Sequence, residues 1–176
     1  MKKGGFTLVE LMGILVVMGI LASVAIPGFS RWMPGYRLKG AARDLYSDMQ
    51  LAKMEAARNN AECALIFDQA NNSYQLVMGG QVQKTVQLSD YPGVTYGPGN
   101  AGQAFNVSRG FDNDITFEDS KEGADTVIFN PRGMINDQVH SAGEVYLTNT
   151  ENSSYCVGAT ACGSIVIRKW DGTGWE

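Results

Sequence analysis

An apolar segment that begins at Phe6 and ends at Phe29 constrains this 176-residue chain more than any other feature. Glu10 is the one charged residue inside it. As a helix rising 1.5 Å per residue, the segment would extend roughly 36 Å, which exceeds the roughly 30 Å thickness of a bilayer's hydrocarbon core. The sequence therefore predicts a single transmembrane helix over residues 6–29.

A cleaved secretory signal is the alternative reading of the same segment. Lys2 and Lys3 precede it, and small residues lie just before Ile26, as they do at a signal cleavage site. The chain would then be a secreted binding protein without an anchor. Glu10 argues against this, because a carboxylate inside an inserted helix costs about 2.5–3.5 kcal/mol and is kept for a purpose.

Residues 4–12 read Gly-Gly-Phe-Thr-Leu-Val-Glu-Leu-Met. Together with the apolar segment and Pro27, this run resembles the type IV prepilin signature shared by type IV pilins and type II secretion pseudopilins. The resemblance implies that a prepilin peptidase cuts between Gly5 and Phe6, that residues 1–5 are lost as a leader, and that the new Phe6 amine is methylated. It also implies a bacterial inner-membrane protein with a periplasmic head, incorporated into a pilus or pseudopilus.

Glu10 has a physical role in such an assembly. Cleavage before Phe6 leaves an ammonium at the edge of the apolar helix, close to the depth of the Glu10 carboxylate. A pair between one subunit's Phe6 amine and a neighbour's Glu10 would neutralise both charges in a low dielectric and set the stagger of the packed helices. The hypothesis is that Glu10 specifies assembly.

Beyond Pro27, where the missing amide hydrogen predicts a kink, the pattern favours an amphipathic helix over residues 30–60. Its apolar residues recur at spacings of four and three, and we interpret them as packing surface. They are Leu38, Ala42, Leu45, Met49, Ala52 and Ala56. The charged residues expected on the opposite face are Lys39, Arg43, Asp44, Asp48, Lys53 and Glu55. Asn59 and Asn60 predict the end of the helix.

Residues 61–176 predict a β-rich head, in which short runs alternate with turn residues. The predicted strands are residues 63–67, 74–78, 82–88, 94–96, 115–117, 126–129, 144–148 and 164–170. The apolar stripe of the helix is the available cover for one face of such a sheet. The pattern therefore predicts the α+β fold class, with a long N-terminal α-helix packed on an antiparallel β-sheet head, and the resemblance implies that this fold is pilin-like. Residues 52–59 and 128–133 further resemble the H-type pseudopilin and FimT-like minor pilin group.

Three cysteines predict one disulfide in an oxidising compartment. Cys156 and Cys162 bracket a short stretch that looks flexible enough to be closed by a bond, worth roughly 2–3 kcal/mol. This pair is favoured, while Cys63–Cys156 and Cys63–Cys162 stay open as alternatives. Cys63 is then a small buried apolar residue at the start of a strand.

Two further groups of residues raise ligand hypotheses. Asp112, Asp114 and Glu118 concentrate oxygen ligands that would suit calcium, although they lack the spacing of an EF-hand loop and also fit a solvated acidic turn. No other cofactor is expected. Arg168 and Lys169 precede Trp170 and could contact DNA, or could simply protect an edge strand. The net charge of −4 disfavours nucleic acid as a general partner.

These patterns predict a structural minor subunit of a type II secretion pseudopilus or a type IV pilus. Its expected partners are other pilin or pseudopilin subunits, the prepilin peptidase and the inner membrane. His140 is the only histidine and no nucleophile motif is present, so enzymatic activity is not expected. A DNA-binding minor pilin and a secreted binding protein are the alternatives.

Overall fold

The computed structural model describes residues 7–106, 114–117, 125–135 and 142–176, except the side chains of residues 24–31 and 142. A helix, α1 (Leu8–Asn59), comes first. The strands of the described part are β1 (Cys63–Asp68), β2 (Ser73–Met78), β3 (Gln81–Gln87), β4 (Val94–Tyr96), β5 (Thr126–Phe129), β6 (Ala142–Asn149), β7 (Ser154–Thr160) and β8 (Ile165–Lys169). The chain divides into two units, Met1–Met33 and Pro34–Glu176, and the second contains all these strands.

Helix α1 is assigned without interruption through Pro27, and the kink expected there stays a prediction. The end of the helix at Asn59 confirms the predicted stop. Asn60 adopts a left-handed φ of 49°, and the Ala61 N–H donates to the Ala56 carbonyl at 3.2 Å. This bond, made across a left-handed residue, is the Schellman arrangement that satisfies a carbonyl left unpaired by the last turn.

The apolar stripe predicted for the second half of α1 is confirmed. All six of its residues are fully buried: Leu38, Ala42, Leu45, Met49, Ala52 and Ala56. They belong to one core cluster with residues from the strands, among them Leu65, Phe129 and Val157. This part of α1 is therefore the central packing element of the head, as the periodicity indicated.

The head contains two antiparallel sheets, where the sequence pattern predicted a single one. The first has the strand order β3-β2-β1-β5, and the second has the order β4-β6-β7-β8. Most predicted strands are found within a residue or two. Residues 115–117 are an exception, because they contribute only an isolated bridge between Ile115 and Val145.

Strand β7 was missed, because its residues Cys156–Thr160 were interpreted as a flexible loop. In the structure β7 lies inside the second sheet, paired with β6 on one side and with β8 on the other. Gly158, in the middle of this strand, lies where space is limited. A Cβ at Gly158 would come within 3.2 Å of the Glu144 side chain.

Asp48 was expected on the solvated face of α1, and this expectation is wrong. Its side chain is 4% exposed and bonds two residues of the first sheet. The Tyr74 hydroxyl donates to Oδ2 at 2.8 Å, and the Lys84 Nζ donates to both carboxylate oxygens at 2.7 Å. Burial and the Asp48 carboxylate raise the pKa of Tyr74 far above its ordinary range. Asp48 therefore joins the helix to β2 and β3.

Candidate assembly site

Thr7 closes the N-terminal end of α1. Its Oγ1 accepts a hydrogen bond from the Glu10 backbone N–H at 3.2 Å, and its carbonyl accepts one from the Leu11 N–H at 3.1 Å. Thr7 is thus the N-cap and Glu10 the third helical residue, which is the Thr-x-x-Glu order of a capping box. This spacing is visible in the sequence, where residues 7–10 read Thr-Leu-Val-Glu. The end of a helix where backbone N–H groups point outward favours a carboxylate.

An apolar surface surrounds the first turns of α1, on both sides of Glu10 in the sequence. Within the first unit, the large apolar side chains from Leu8 to Leu21 are between 45% and 77% exposed. They are Leu8, Val9, Leu11, Met12, Ile14, Leu15, Val16, Val17, Met18, Ile20 and Leu21. Burying one such side chain is worth about 1.5–3 kcal/mol, so water is an unfavourable environment for this surface. The segment requires cover from lipid or from other apolar helices.

Glu10 is exposed on this segment and is its one ionisable residue between Thr7 and Ser23. Gly5 and Phe6, the predicted cleavage and methylation positions, lie outside the described residues. Among the residues that are described, no helix combines the length and hydropathy needed to cross a membrane. The predicted span begins at Phe6, and it stays a prediction.

Two motifs of the head that are far apart in sequence meet at Lys53. Its Nζ donates to the Gly163 carbonyl at 2.8 Å, and a Cβ at Gly133 would lie 3.0 Å from its Cε. Gly163 packs directly on Gly133, because a Cβ at Gly163 would be 1.8 Å from the Gly133 carbonyl oxygen. Residues 52–59 and 128–133, which carried the finer resemblance, thus form one junction between α1, the turn after β5 and the β7–β8 turn.

Comparison with known families gives these elements an identity. The family model described as "Type II transport protein GspH" matches residues 41–163, which include the Lys53 junction and most of the head. The chain belongs to the GspH family. The model of the prokaryotic N-terminal methylation motif matches residues 1–26. This GspH-family chain is therefore a structural minor pseudopilin or pilin, a membrane-anchored component that assembles with other subunits of that kind.

Three individual proteins are similar to this chain. The chain is 31% identical over 136 residues to "Pilin-like protein PilA1" of Thermus thermophilus, covering 76% of this chain and 80% of that protein. The minor pseudopilin EpsH from the Type 2 Secretion System of Vibrio cholerae has a similar fold, with a TM-score of 0.50 at 12% identity over 74% of this chain and 95% of EpsH. The type IV minor pilin FimU of Pseudomonas aeruginosa aligns at a TM-score of 0.46 and 12% identity, covering 74% and 91% of the two chains.

The cysteines of this GspH-family chain are all free, so the predicted Cys156–Cys162 disulfide is wrong. Cys156 is buried inside β7, whereas Cys162 is exposed in the turn after that strand ends at Thr160. A strand rises about 3.3 Å per residue, which places Thr160 about 13 Å from Cys156. Cys162 follows Thr160 in the turn at that far end of the strand. A disulfide requires Cα atoms within roughly 7 Å. Cys63 is buried at the start of β1, which confirms its interpretation as a small apolar residue.

The acidic group proposed for calcium is only partly described. Asp112 and Glu118 lie outside the described residues, as does His140. Asp114 is half-buried, and its carbonyl accepts the Tyr146 N–H at 2.9 Å. In the described ranges no three potential metal ligands cluster. Calcium binding stays a prediction.

Arg168 and Lys169 are exposed at the end of β8, which is an edge strand of the second sheet. For the DNA hypothesis, the adjacent Trp170 would have to offer a surface on which a base can stack. It is instead 8% exposed and packs edge-on against Trp175, with ring centroids 5.4 Å apart. A base could therefore not stack on Trp170 as the sequence suggested, and DNA contact by the two cations stays a prediction.

Proposed function

We propose that this chain is made as a precursor, cut by a prepilin peptidase between Gly5 and Phe6, and methylated on the Phe6 amine. The mature protein is then a single-pass protein of the bacterial inner membrane with its head in the periplasm. From there it enters a type II secretion pseudopilus or a type IV pilus as a minor subunit. The observation that carries this proposal is the exposed apolar surface of α1 with one carboxylate at its capped end.

Glu10 acts as the assembly determinant. A lone carboxylate in an inserted helix costs about 2.5–3.5 kcal/mol, so a neighbouring subunit's Phe6 ammonium at the same depth is a strongly favoured partner. Pairing both charges removes this penalty only where the helices are correctly staggered. Thr7 supports the pairing, because its cap keeps the first turn of α1 helical up to Glu10.

The role of the protein is structural and not catalytic. The family is one of filament subunits, and the polar interactions of the head described above join structural elements to one another. The Asp48 carboxylate, for example, is occupied by Tyr74 and Lys84. The secreted alternative would require cleavage within the apolar segment, and it leaves Glu10 without a purpose.

The decisive experiment replaces Glu10 by glutamine in the full chain and measures incorporation into sheared filaments. Glu10→Gln keeps the shape of the side chain and removes its charge, so we expect normal membrane insertion with incorporation reduced at least tenfold, equivalent to about 1.4 kcal/mol. Glu151→Gln, at an exposed acid of the head, is the matched control and should incorporate normally.

Mass spectrometry of the mature N-terminus separates processing from assembly in the same samples. Both variants should begin at a methylated Phe6. Incorporation of Glu10→Gln at the wild-type level would remove Glu10 from the mechanism. A wild-type chain beginning at Ile26 would contradict the whole proposal.

A further inference from the structure

A cationic stretch follows the apolar segment. Residues 31–43 contain Arg31, Arg37, Lys39 and Arg43 and no acidic residue, in a chain whose net charge is −4. Positive charge next to a membrane span is normally concentrated on the cytoplasmic side. In the orientation proposed above, these residues lie on the periplasmic side, so their concentration there calls for an anionic partner.

The structure describes the side chains of three of these cations. Lys39 and Arg43 are exposed and Arg37 is half-buried on α1. The ion pairs formed between described residues are Arg58–Glu55 and Lys84–Asp48, and neither involves this stretch. Two aromatic residues accompany the cations, because Trp32 is 63% exposed and Tyr36 is 60% exposed. Large aromatic side chains at such exposure are typical of a membrane–water interface.

We propose that Tyr36, Arg37 and Lys39 bind anionic phospholipid headgroups of the periplasmic leaflet. This inference rests on the proposed single-pass insertion. Along the chain, Arg37 and Lys39 follow Phe29 by eight and ten residues, whereas Arg43 follows it by fourteen. The headgroup layer is roughly 5–8 Å thick, and the screening length is about 8 Å at physiological salt. Arg37 and Lys39 therefore follow the predicted span more closely along the chain than Arg43 does, and we assign the lipid contact to them.

The direction of helical side chains strengthens this assignment. Cα–Cβ bonds in a helix tilt toward its N-terminus, which here is the end in the membrane. Arg37 and Lys39 can therefore extend their charged ends back toward the headgroups while their aliphatic parts stay along the helix. An acidic surface of a neighbouring subunit would also attract these cations, but it would not account for Trp32 and Tyr36 directly beyond the apolar segment.

Lipid selectivity of the mature full chain in vesicles tests the proposal. Spin-labelled phosphatidylglycerol and phosphatidylcholine report, by electron paramagnetic resonance, the relative association of the two lipids with the protein. We expect a preference for phosphatidylglycerol that falls by up to about fivefold for each cation removed, in Arg37→Gln, in Lys39→Gln and in the double variant that combines them. Arg43→Gln is the matched control on the same helix and should keep the preference.

Three results would overturn the inference. They are a wild-type chain without lipid preference, a loss in Arg43→Gln equal to that in the double variant, and a double variant that keeps its preference but cross-links less to neighbouring subunits. The last result would assign the cations to an acidic protein surface. Resistance to alkaline extraction is measured in parallel, because a chain that fails to insert contradicts the proposed function, whereas an inserted chain without selectivity contradicts only the lipid site.

Discussion

Cys156 and Cys162 lie close in sequence but differ in access to solvent. Burial, with the Glu144 carboxylate nearby, raises the pKa of the Cys156 thiol well above its ordinary value. Burial also raises the pKa of Cys63. Cys162 is exposed in the turn before β8. Because the thiolate is the reactive form, the three residues should differ strongly in their reaction with alkylating reagents.

We expect iodoacetamide at mildly alkaline pH to modify Cys162 in the folded chain at least tenfold faster than Cys63 or Cys156. Peptide mapping by mass spectrometry measures the three rates. In denaturant the rates should converge, which is the control for intrinsic reactivity. Protection of Cys162 in the folded chain, relieved only by a reductant, would restore the disulfide that the structure excludes.

At the scale of elements, the parts of the fold that could be predicted are those encoded by local periodicity. The stripe from Leu38 to Ala56 and most strands follow from the spacing of apolar residues alone. β7 could not be recognised in this way, because Gly158 interrupts its apolar pattern. The side chain that limits the space at Gly158 is Glu144, which lies on a neighbouring strand. The burial of Asp48 likewise depends on Tyr74 and Lys84, which are distant in sequence. The N-terminal signature was readable because its residues are contiguous.

The Asp48 interactions should make a measurable contribution to the docking of α1 on the first sheet. Asp48→Ala leaves the buried Tyr74 hydroxyl and the Lys84 ammonium without their acceptor, so we expect the free energy of unfolding to fall by about 1–3 kcal/mol. Lys84 is 46% exposed, which limits the loss because water can solvate it.

Glu55→Ala is the comparison for this prediction, since Glu55 pairs with Arg58, whose side chain is 78% exposed. An exposed ion pair of this kind contributes about 0–1 kcal/mol. Chemical denaturation of both variants measures the two losses. Equal losses would mean that the buried network adds nothing beyond a surface ion pair.

The molecule as a whole combines an uncovered apolar helix segment with a head that buries its own core. The first unit exposes nearly every large side chain from Leu8 to Leu21, whereas the second covers the stripe of α1 with strands from both sheets. Assembly and head stability therefore depend on different residues. The Lys53 junction matters for the stability of the head, because it joins α1 to a turn of each sheet.

Gly163 tests whether this junction makes the head one cooperative unit. It adopts a φ of +75°, and a Cβ there would be 1.8 Å from the Gly133 carbonyl oxygen. Gly79 has a φ of +57° with nothing within 4 Å of an added Cβ. Gly79→Ala therefore introduces backbone strain without a steric clash and is the control for Gly163→Ala. Gly79→Ala should lower the free energy of unfolding by about 1–2 kcal/mol. Gly163→Ala should lower it by more, on the order of 4 kcal/mol.

Hydrogen exchange shows how far the effect of Gly163→Ala spreads. Because α1, the turn after β5 and the β7–β8 turn meet at one point, we expect amides of β1 in the first sheet and β7 in the second to lose protection together. Loss confined to β7 and β8 would mean that the two sheets unfold independently and that the Lys53 junction is only a local contact. Filament incorporation measured on the same variant would then show whether assembly requires an intact second sheet.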